Sequence, residues 1–479
     1  LEAGVGRLSI GNIALRGVSW TALGTVVRGV VQFTRLIIAA RILEAAELGA
    51  LALVNLVIGL AFIIGDGGFA SAFIYYRDLS QSRKNQLYTL SILIAAVLSL
   101  VLFSTSSIIE SFFNIPGSGL LLAWIAPIFI FRSLSQLPIA SLQKELKFKD
   151  IAKIEIVSSC SGLALMFVLL HFDYRALAIV WSQLFAVLML FITMLFVGRK
   201  HLFSLSLIHF EQILEPLKYG LYQTGDALVN YLSSQFDQLL IGKVLGAEVL
   251  GFYAYIKDLV FRPALQLINP IVNRVTFPLM ASIGKSQEKA KVYAGVLEIL
   301  SLINIPLYLF MAFYSELILT IVYGQEWAQH GTLMSLMSIY MMLISLVNPS
   351  GALMRATGEV KRAFWWNIFV TVVRPGVIIA SISGGIEAVV ASLVALQTLL
   401  FVLHVKYLIK PVVNLRYISV FAPILLPVFA AISSIAMTHY GLNYGGNIGD
   451  EILALVTALA YIIIVAPFSV KKLKTILRK

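Results

Sequence analysis

The sequence predicts an all-α integral membrane protein of about fourteen transmembrane helices, in two six-helix lobes followed by two extra C-terminal helices. Three observations carry this: composition, the sharing of positive charge between loops, and an internal repeat. Mean hydropathy is +0.91, with 59% hydrophobic and 13% charged residues, which excludes an ordinary soluble domain. A pI near 9.6 would suggest nucleic acid in a soluble chain. Here it reflects loops facing an anionic leaflet, so the expected partner is the lipid bilayer and not nucleic acid.

A crossing needs about 20 largely apolar residues. Runs bounded by charge, Gly and Pro are Val18–Ala40, Leu48–Tyr75, Leu87–Ile109, Leu120–Leu142, Ile154–Leu170, Ala176–Val197 and Tyr219–Gly242. The second seven are Leu250–Met280, Tyr293–Phe313, Gly331–Val347, Phe364–Ser381, Ile386–Leu408, Ile418–Met437 and Ile452–Phe468. The chain opens at Leu1 without Met and shows no signal-peptide pattern, so a trimmed terminus is expected.

Threading these spans sorts the 36 Lys and Arg sharply. Alternate loops and the two tails, with Lys406 at the end of span 12 counted to the loop after it, hold 26, the opposite loops hold three (Arg41, Arg175, Lys243), and seven lie inside spans. Asp and Glu show no such bias, as expected of a rule that concerns Lys and Arg rather than net charge. Both termini are therefore expected in the cytoplasm, and the alternation supports an even number of spans independently of hydropathy.

The repeat lies between spans 1 and 2 and again between spans 7 and 8. At an offset of 202, Leu43, Ala45, Leu48, Gly49 and Ala52 meet Leu245, Ala247, Leu250, Gly251 and Ala254. Six spans separate the copies, so both have the same orientation, which predicts lobes related by an axis along the membrane normal. The division is then an N-terminal lobe 1–200, an interfacial linker 201–218, a C-terminal lobe 219–412, and 413–479 for spans 13–14 and a cytoplasmic tail.

Chemistry is concentrated in the intramembrane charges. On span 1, Thr21, Thr25, Arg28, Gln32 and Arg35 recur every three or four residues and form one polar stripe. On span 7, Asp226, Asn230, Ser233, Ser234 and Asp237 do the same, and in the repeat register Arg28 meets Asn230 and Arg35 meets Asp237. Facing stripes suit a polar cavity that receives an anion; the alternative is an Arg–Asp pair that only joins helices. The other charges set well inside spans, away from their edges, are Asp66, Arg132, Lys257, Asp258, Arg262, Arg274, Glu298 and Arg374. Arg274 lies near enough to a span end to snorkel. Arg262 and Arg374 each precede a proline, where a kink opens backbone to water, and Pro263, Pro270 and Pro278 make span 8 a plausible gate.

No enzymatic constellation emerges. There is no Gly-rich loop ending in Lys-Ser/Thr, and the six His residues show no metal spacing, so neither cofactor nor metal is expected. Cys160 is the only cysteine and reads as a packing residue. Asp226, Asp237 and Asp66 are candidates for H⁺ or Na⁺ coupling, with the membrane potential as the alternative drive.

Two segments carry a family resemblance. Gly65-Asp-Gly-Gly-Phe-Ala-Ser-Ala-Phe-Ile74 resembles the acid-Gly-x-x-x-Ala-x-Ile signature of prokaryotic polysaccharide-export flippases, and Leu137-Pro-Ile-Ala-Ser-Leu-Gln-Lys-Glu-Leu-Lys-Phe-Lys149 is similar to their Leu-Gln-Arg-Glu-Leu-Arg-Phe stretch. The chain thus resembles the Wzx-type oligosaccharide flippases of the multidrug/oligosaccharidyl-lipid/polysaccharide superfamily. The resemblance implies a V-shaped pair of lobes that opens alternately to each side. It also implies a monomer of the bacterial cytoplasmic (inner) membrane that translocates an undecaprenyl-pyrophosphate-linked oligosaccharide, with polysaccharide polymerase machinery as a partner. Aligned on the lipid II flippases of that superfamily, Arg35 takes the central cavity role, while the acid that follows their Arg is Leu36 here. Arg28, Arg35, Gln32, Arg262, Arg374 and Arg132 are the expected headgroup ligands; Asp226, Asn230, Asp237, Asp66 and Glu298 are the expected cavity or ion-coupling groups. A cation-coupled multidrug antiporter of the same superfamily is the competing reading, and it would need acids in the lobes. A polymerase or ligase would need a large outer loop that the sequence lacks.

Overall fold

The apolar runs fold as helices that satisfy their own backbone, which is what hydrocarbon demands of a spanning segment. The computed structural model describes residues 2–76, 79–415, 417–443, 452–454 and 456–461, and no strand occurs among them. The order begins α1 (Glu2–Ile42), α2 (Ala45–Asp66), α3 (Phe69–Tyr75), α4 (Gln81–Phe113), α5 (Ser118–Ile125) and α6 (Ile128–Lys144). It continues α7 (Phe148–His171), α8 (Arg175–Val197), α9 (Phe210–Arg262), α10 (Asn269–Ser282), α11 (Ser286–Phe313) and α12 (Ser315–Val322). It closes with α13 (Gly331–Val347), α14 (Pro349–Thr357), α15 (Val360–Ser381), α16 (Gly385–His404), α17 (Lys410–Val413) and α18 (Tyr417–Asn443).

Eleven helical runs among the described residues are long and apolar enough to cross a membrane. Two of them, Phe210–Leu265 with 56 residues and Val360–Val413 with 54, are each long enough for two crossings. Each breaks where the sequence places a hairpin, at Gly246 (φ 87°, ψ −178°) and at Gly385 (φ 84°, ψ −178°). That backbone region is open essentially to glycine alone. With those two runs read as pairs, the described residues hold thirteen crossings, and the short apolar helix Ile452–Tyr461 lies within the fourteenth span expected. The rest of the predicted last span, the Lys471–Lys479 tail, Arg77 and Arg416 lie outside the described residues, as does the side chain of Arg274.

The chain divides into two compact units, Leu1–Gly251 and Phe252–Lys479. In the first, α7 packs along α1 and α8, and α4 packs on α5 and α6. α1 and α7 keep one register, since Gly24 meets Ala152, Arg28 meets Glu155 and Arg35 meets Gly162. The repeat becomes a reciprocal contact: a Cβ on Gly49 would collide with the Ala247 carbonyl, and one on Gly251 with the Ala45 carbonyl. Ala45 and Ala247 are repeat mates, as are the two glycines, so the contact is self-complementary in the manner of a two-fold interface.

The two segments that carry the family resemblance form one structural block. Lys144 Nζ donates to the carbonyls of Phe73 (3.3 Å) and Tyr76 (3.0 Å), closing the end of α3, and sits over the Phe73 ring. Phe203 packs edge-on to Phe73, while Ser206 N donates to Thr89 Oγ1 and His209 N to Gln86 Oε1, both at 3.0 Å. The linker after α8 is thereby pinned onto α3, α4 and α6. Beside it, Lys147 Nζ lies 2.7 Å from Glu145 and 3.0 Å from His201 Nε2.

The Lys147 ammonium holds the Glu145 carboxyl below its ordinary range. Its stabilising contribution is therefore present above the ordinary glutamate value near pH ~4.3 and lost as pH falls through the depressed one. The melting difference between wild type and Glu145→Gln should be small, vanish in acid, and shrink with salt because the pair is half-exposed.

In the second unit, α11 packs on α13 and α18, and α13 on α16. Tyr293, Leu297, Leu353, Phe401 and Ile409 are core residues there. Tyr308 and Tyr323 donate their hydroxyls to the Val260 and Tyr255 carbonyls at 3.1 and 2.9 Å. The span after Gly246 is irregular as its prolines predict, with a π-helical turn over Pro263–Ile268 before α10. α15, by contrast, stays helical through Pro375, so Arg374 does not sit at a break.

Candidate functional site

Within the first unit, α1, α2, α3, α6, α7, α8 and the start of α9 enclose a cavity of about 510 Å³, in the range of small-ligand sites. Four titratable side chains line it: Arg28 from α1, Asp66 from α2, Arg132 from α6 and Glu155 from α7. Arg28 Nη1 donates to Glu155 Oε1 at 3.0 Å, with Arg28 and Glu155 40% and 21% exposed, so the pair faces open space rather than closed core. Arg132 stacks over the Phe62 ring at 4.1 Å, and Phe62 meets Phe129 edge-on. A guanidinium laid on a ring keeps its in-plane N–H groups free for a ligand. Gln136, Gln143, Gln223 and Thr224, with Ser135, Ser158 and Ser159, complete the polar lining.

The expected ligands divide on this geometry. Arg28, Arg132 and Asp66 come together in the cavity. Arg35, two turns further along α1, turns between α7 and α8, where Nη2 donates to the Ser182 carbonyl at 3.2 Å and approaches its hydroxyl at 3.4 Å. Neither Arg35 nor Gln32, which is exposed, belongs to the cavity lining. Of the α9 stripe, Asp226 and Asn230 are exposed, with Asn230 donating to the Asp226 carbonyl, and Asp237 accepts from the Gln238 amide at 2.8 Å. The neighbouring face of α9, with Gln223, Thr224 and Ala227, is the one that reaches the cavity. Arg28 thus takes its carboxylate from α7 rather than from the α9 stripe.

The remaining candidates lie in the second unit. Arg262 Nη2 pairs with Asp258 at 2.6 Å one turn away, Arg374 lies 6.0 Å from the Tyr340 ring, and Glu298 is half-buried on α11.

Sequence reading missed Glu155 because it stands one residue inside the fifth span, where a charge reads as flanking loop. It also missed Gln136 and Gln143, although Arg132, Gln136, Ile139 and Gln143 recur every three or four residues on one face of α6. That stripe on the fourth span was the available signal.

Gly162 holds Arg35 in place. A Cβ there would lie 2.5 Å from Arg35 Nη2 and 2.6 Å from the Ala186 Cβ. Gly162→Ala should therefore destabilise the protein by about 1–3 kcal/mol, as overpacking does. A lower melting temperature of the detergent-solubilised protein, against no loss for Gly29→Ala where nothing lies within 4 Å, is the check.

An all-helical, multi-pass bundle with a charged internal cavity defines a membrane transporter. The chain belongs to the polysaccharide biosynthesis protein family, whose pattern matches residues 38–331. It is 27% identical to the lipopolysaccharide biosynthesis protein WzxC of Escherichia coli (strain K12) over 90% of this chain and 88% of that one. It is 26% identical to the teichuronic acid biosynthesis protein TuaB of Bacillus subtilis (strain 168), over 91% and 90%. Its fold resembles the lipid II flippase MurJ in its inward closed conformation, with TM-score 0.76 and 13% identity over 95% of this chain and 100% of that one. A multidrug resistance MATE family transporter of the MOP superfamily in its inward-facing conformation follows at TM-score 0.61 and 14% identity, over 81% and 98%.

Proposed function

We propose that this protein is a flippase carrying an undecaprenyl-pyrophosphate-linked oligosaccharide from the cytoplasmic to the periplasmic leaflet by alternating access of two lobes. The observation that carries the reading is the cavity: two guanidiniums, Arg28 and Arg132, share a chamber with amide and hydroxyl groups. Guanidinium forks suit phosphate oxygens, and amides with hydroxyls suit a sugar. Membership of the family and the names of the relatives support the polysaccharide assignment. Positive charge in alternate loops supports cytoplasmic termini in a bacterial inner membrane. The protein works as a monomer beside polysaccharide polymerase machinery. H⁺, Na⁺ or the membrane potential drives it, the last worth ~2.3 kcal/mol per charge per 100 mV.

Asp66 and Glu155 in the same cavity, with Asp226, Asp237 and Glu298 elsewhere in the spans, give a cation-coupled multidrug antiporter its foothold. Deletion of the gene should lead to accumulation of a lipid-linked glycan on the cytoplasmic side, reversed by the intact gene with no change in drug tolerance. Normal glycan export in the deletion strain, with drug sensitivity instead, would favour the antiporter.

A further inference from the structure

Each guanidinium of the cavity shares the chamber with an acid. Glu155 lies 3.0 Å from Arg28, and Asp66 lines the wall with Arg132. Among the described residues no other titratable group lines it: α1 brings Arg28, α2 Asp66, α6 Arg132 and α7 Glu155 itself. The turn before α3 brings Gly68 and α3 brings Ala70, and α8 and α9 add only neutral side chains. The chamber is charge-balanced, not cationic. Balance is the low-cost arrangement for charges inside a membrane, yet it leaves Arg28 already bonded to a carboxylate when an anionic headgroup arrives.

We propose that Glu155 is a resident stand-in for the substrate phosphate: it holds Arg28 before loading, gives Arg28 up to a phosphate oxygen, and takes up a proton as it leaves. The inference rests on reading the cavity as a pyrophosphate site. A carboxylate and a diphosphate compete for one guanidinium, because like charges at contact repel and a part-buried chamber screens them less than bulk water does. Glu155, stripped of its partner, becomes neutral rather than carry an unpaired charge. The proton comes from the water that opens onto the cavity and ends on a Glu155 carboxyl oxygen. Arg28 keeps its own charge and donates its N–H groups to the phosphate. Release of the headgroup reverses both steps, so loading is coupled to proton uptake and unloading to proton release. Glu155 is a positioning residue here: it acts on the headgroup through Arg28.

The test is a calorimetric titration of the full-length protein with farnesyl pyrophosphate at pH 7, in two buffers of different ionisation heat. Wild type should take up close to one proton per ligand more than Glu155→Gln. Its affinity should fall up to about tenfold per pH unit between pH 6 and 8, and that of Glu155→Gln should fall less steeply by the same factor. An infrared difference spectrum of wild type, with and without ligand, needs no variant and should show a protonated carboxyl appearing on loading. Equal proton uptake in both proteins, or no such band, overturns this inference and leaves the anion site standing. No binding of farnesyl pyrophosphate to wild type overturns the anion site itself, and this inference with it.

Discussion

Replacing Arg28 by alanine should abolish export of the lipid-linked glycan in a complementation assay while protein still accumulates in the membrane. Arg28 is the cavity guanidinium with a defined carboxylate partner, and it is open enough to exchange that partner for a ligand. A hydrogen bond to a charged group contributes about 1.5–3 kcal/mol, so losing one weakens a bound diphosphate by roughly tenfold to 100-fold. Arg28→Lys should fall between, since an ammonium is a point donor without the fork. The double change Arg28→Ala with Glu155→Ala separates ligand from glue. If the pair only joins α1 to α7, removing both partners restores export along with stability. If Arg28 grips the headgroup, the double variant regains stability and still fails to export, and restored export would sink the assignment.

The second large effect is expected at the reciprocal glycine contact. Gly49→Val and Gly251→Val each place a branched side chain where a backbone carbonyl already sits, at Ala247 and Ala45 respectively. No rotamer relieves a clash with main chain, so the helices must part. Each change should cost at least the ~1–3 kcal/mol of ordinary overpacking. Because the two glycines face one contact, the double variant should cost less than the sum of the singles, the mark of coupled sites. Melting of the solubilised protein measures all three, with Gly225→Ala, which meets nothing within 4 Å, as the control that loses no stability. Unchanged melting of Gly49→Val would show that the contact is not formed in solution.

Much of the architecture was legible because a bilayer imposes one-dimensional rules. A span must be about 20 apolar residues long, and Lys and Arg prefer one side of the membrane, so composition along the chain is enough to place the helices. The hairpins between spans 7 and 8 and between spans 11 and 12 were readable for the same reason, and the structure places their breaks at Gly246 and Gly385. The repeat was also visible in sequence, though only the fold showed that Gly49 and Gly251 press on each other's repeat rather than merely resembling one another.

The candidate site was legible in part. Arg28, Arg132 and Asp66 stood out as charges within spans, and they do meet in one chamber. Arg35 shares the α1 stripe with Arg28, yet a helix stripe is wider than one neighbour, and the gap above Gly162 draws Arg35 between α7 and α8. Glu155 was passed over because it stands at the edge of the fifth span, and hydropathy places such an edge only to within a residue or two.

The sequence by itself determined the membrane-spanning class, the number of crossings, the breaks between them and the residues whose charge must be accounted for. Those follow from local chemistry, the transfer of each residue between water and hydrocarbon. Only the tertiary structure decided which charges share a cavity and which acid answers Arg28. Pairing depends on the side-by-side register of α1 and α7, which lie more than a hundred residues apart in the chain, and that register is set by packing that no local pattern encodes.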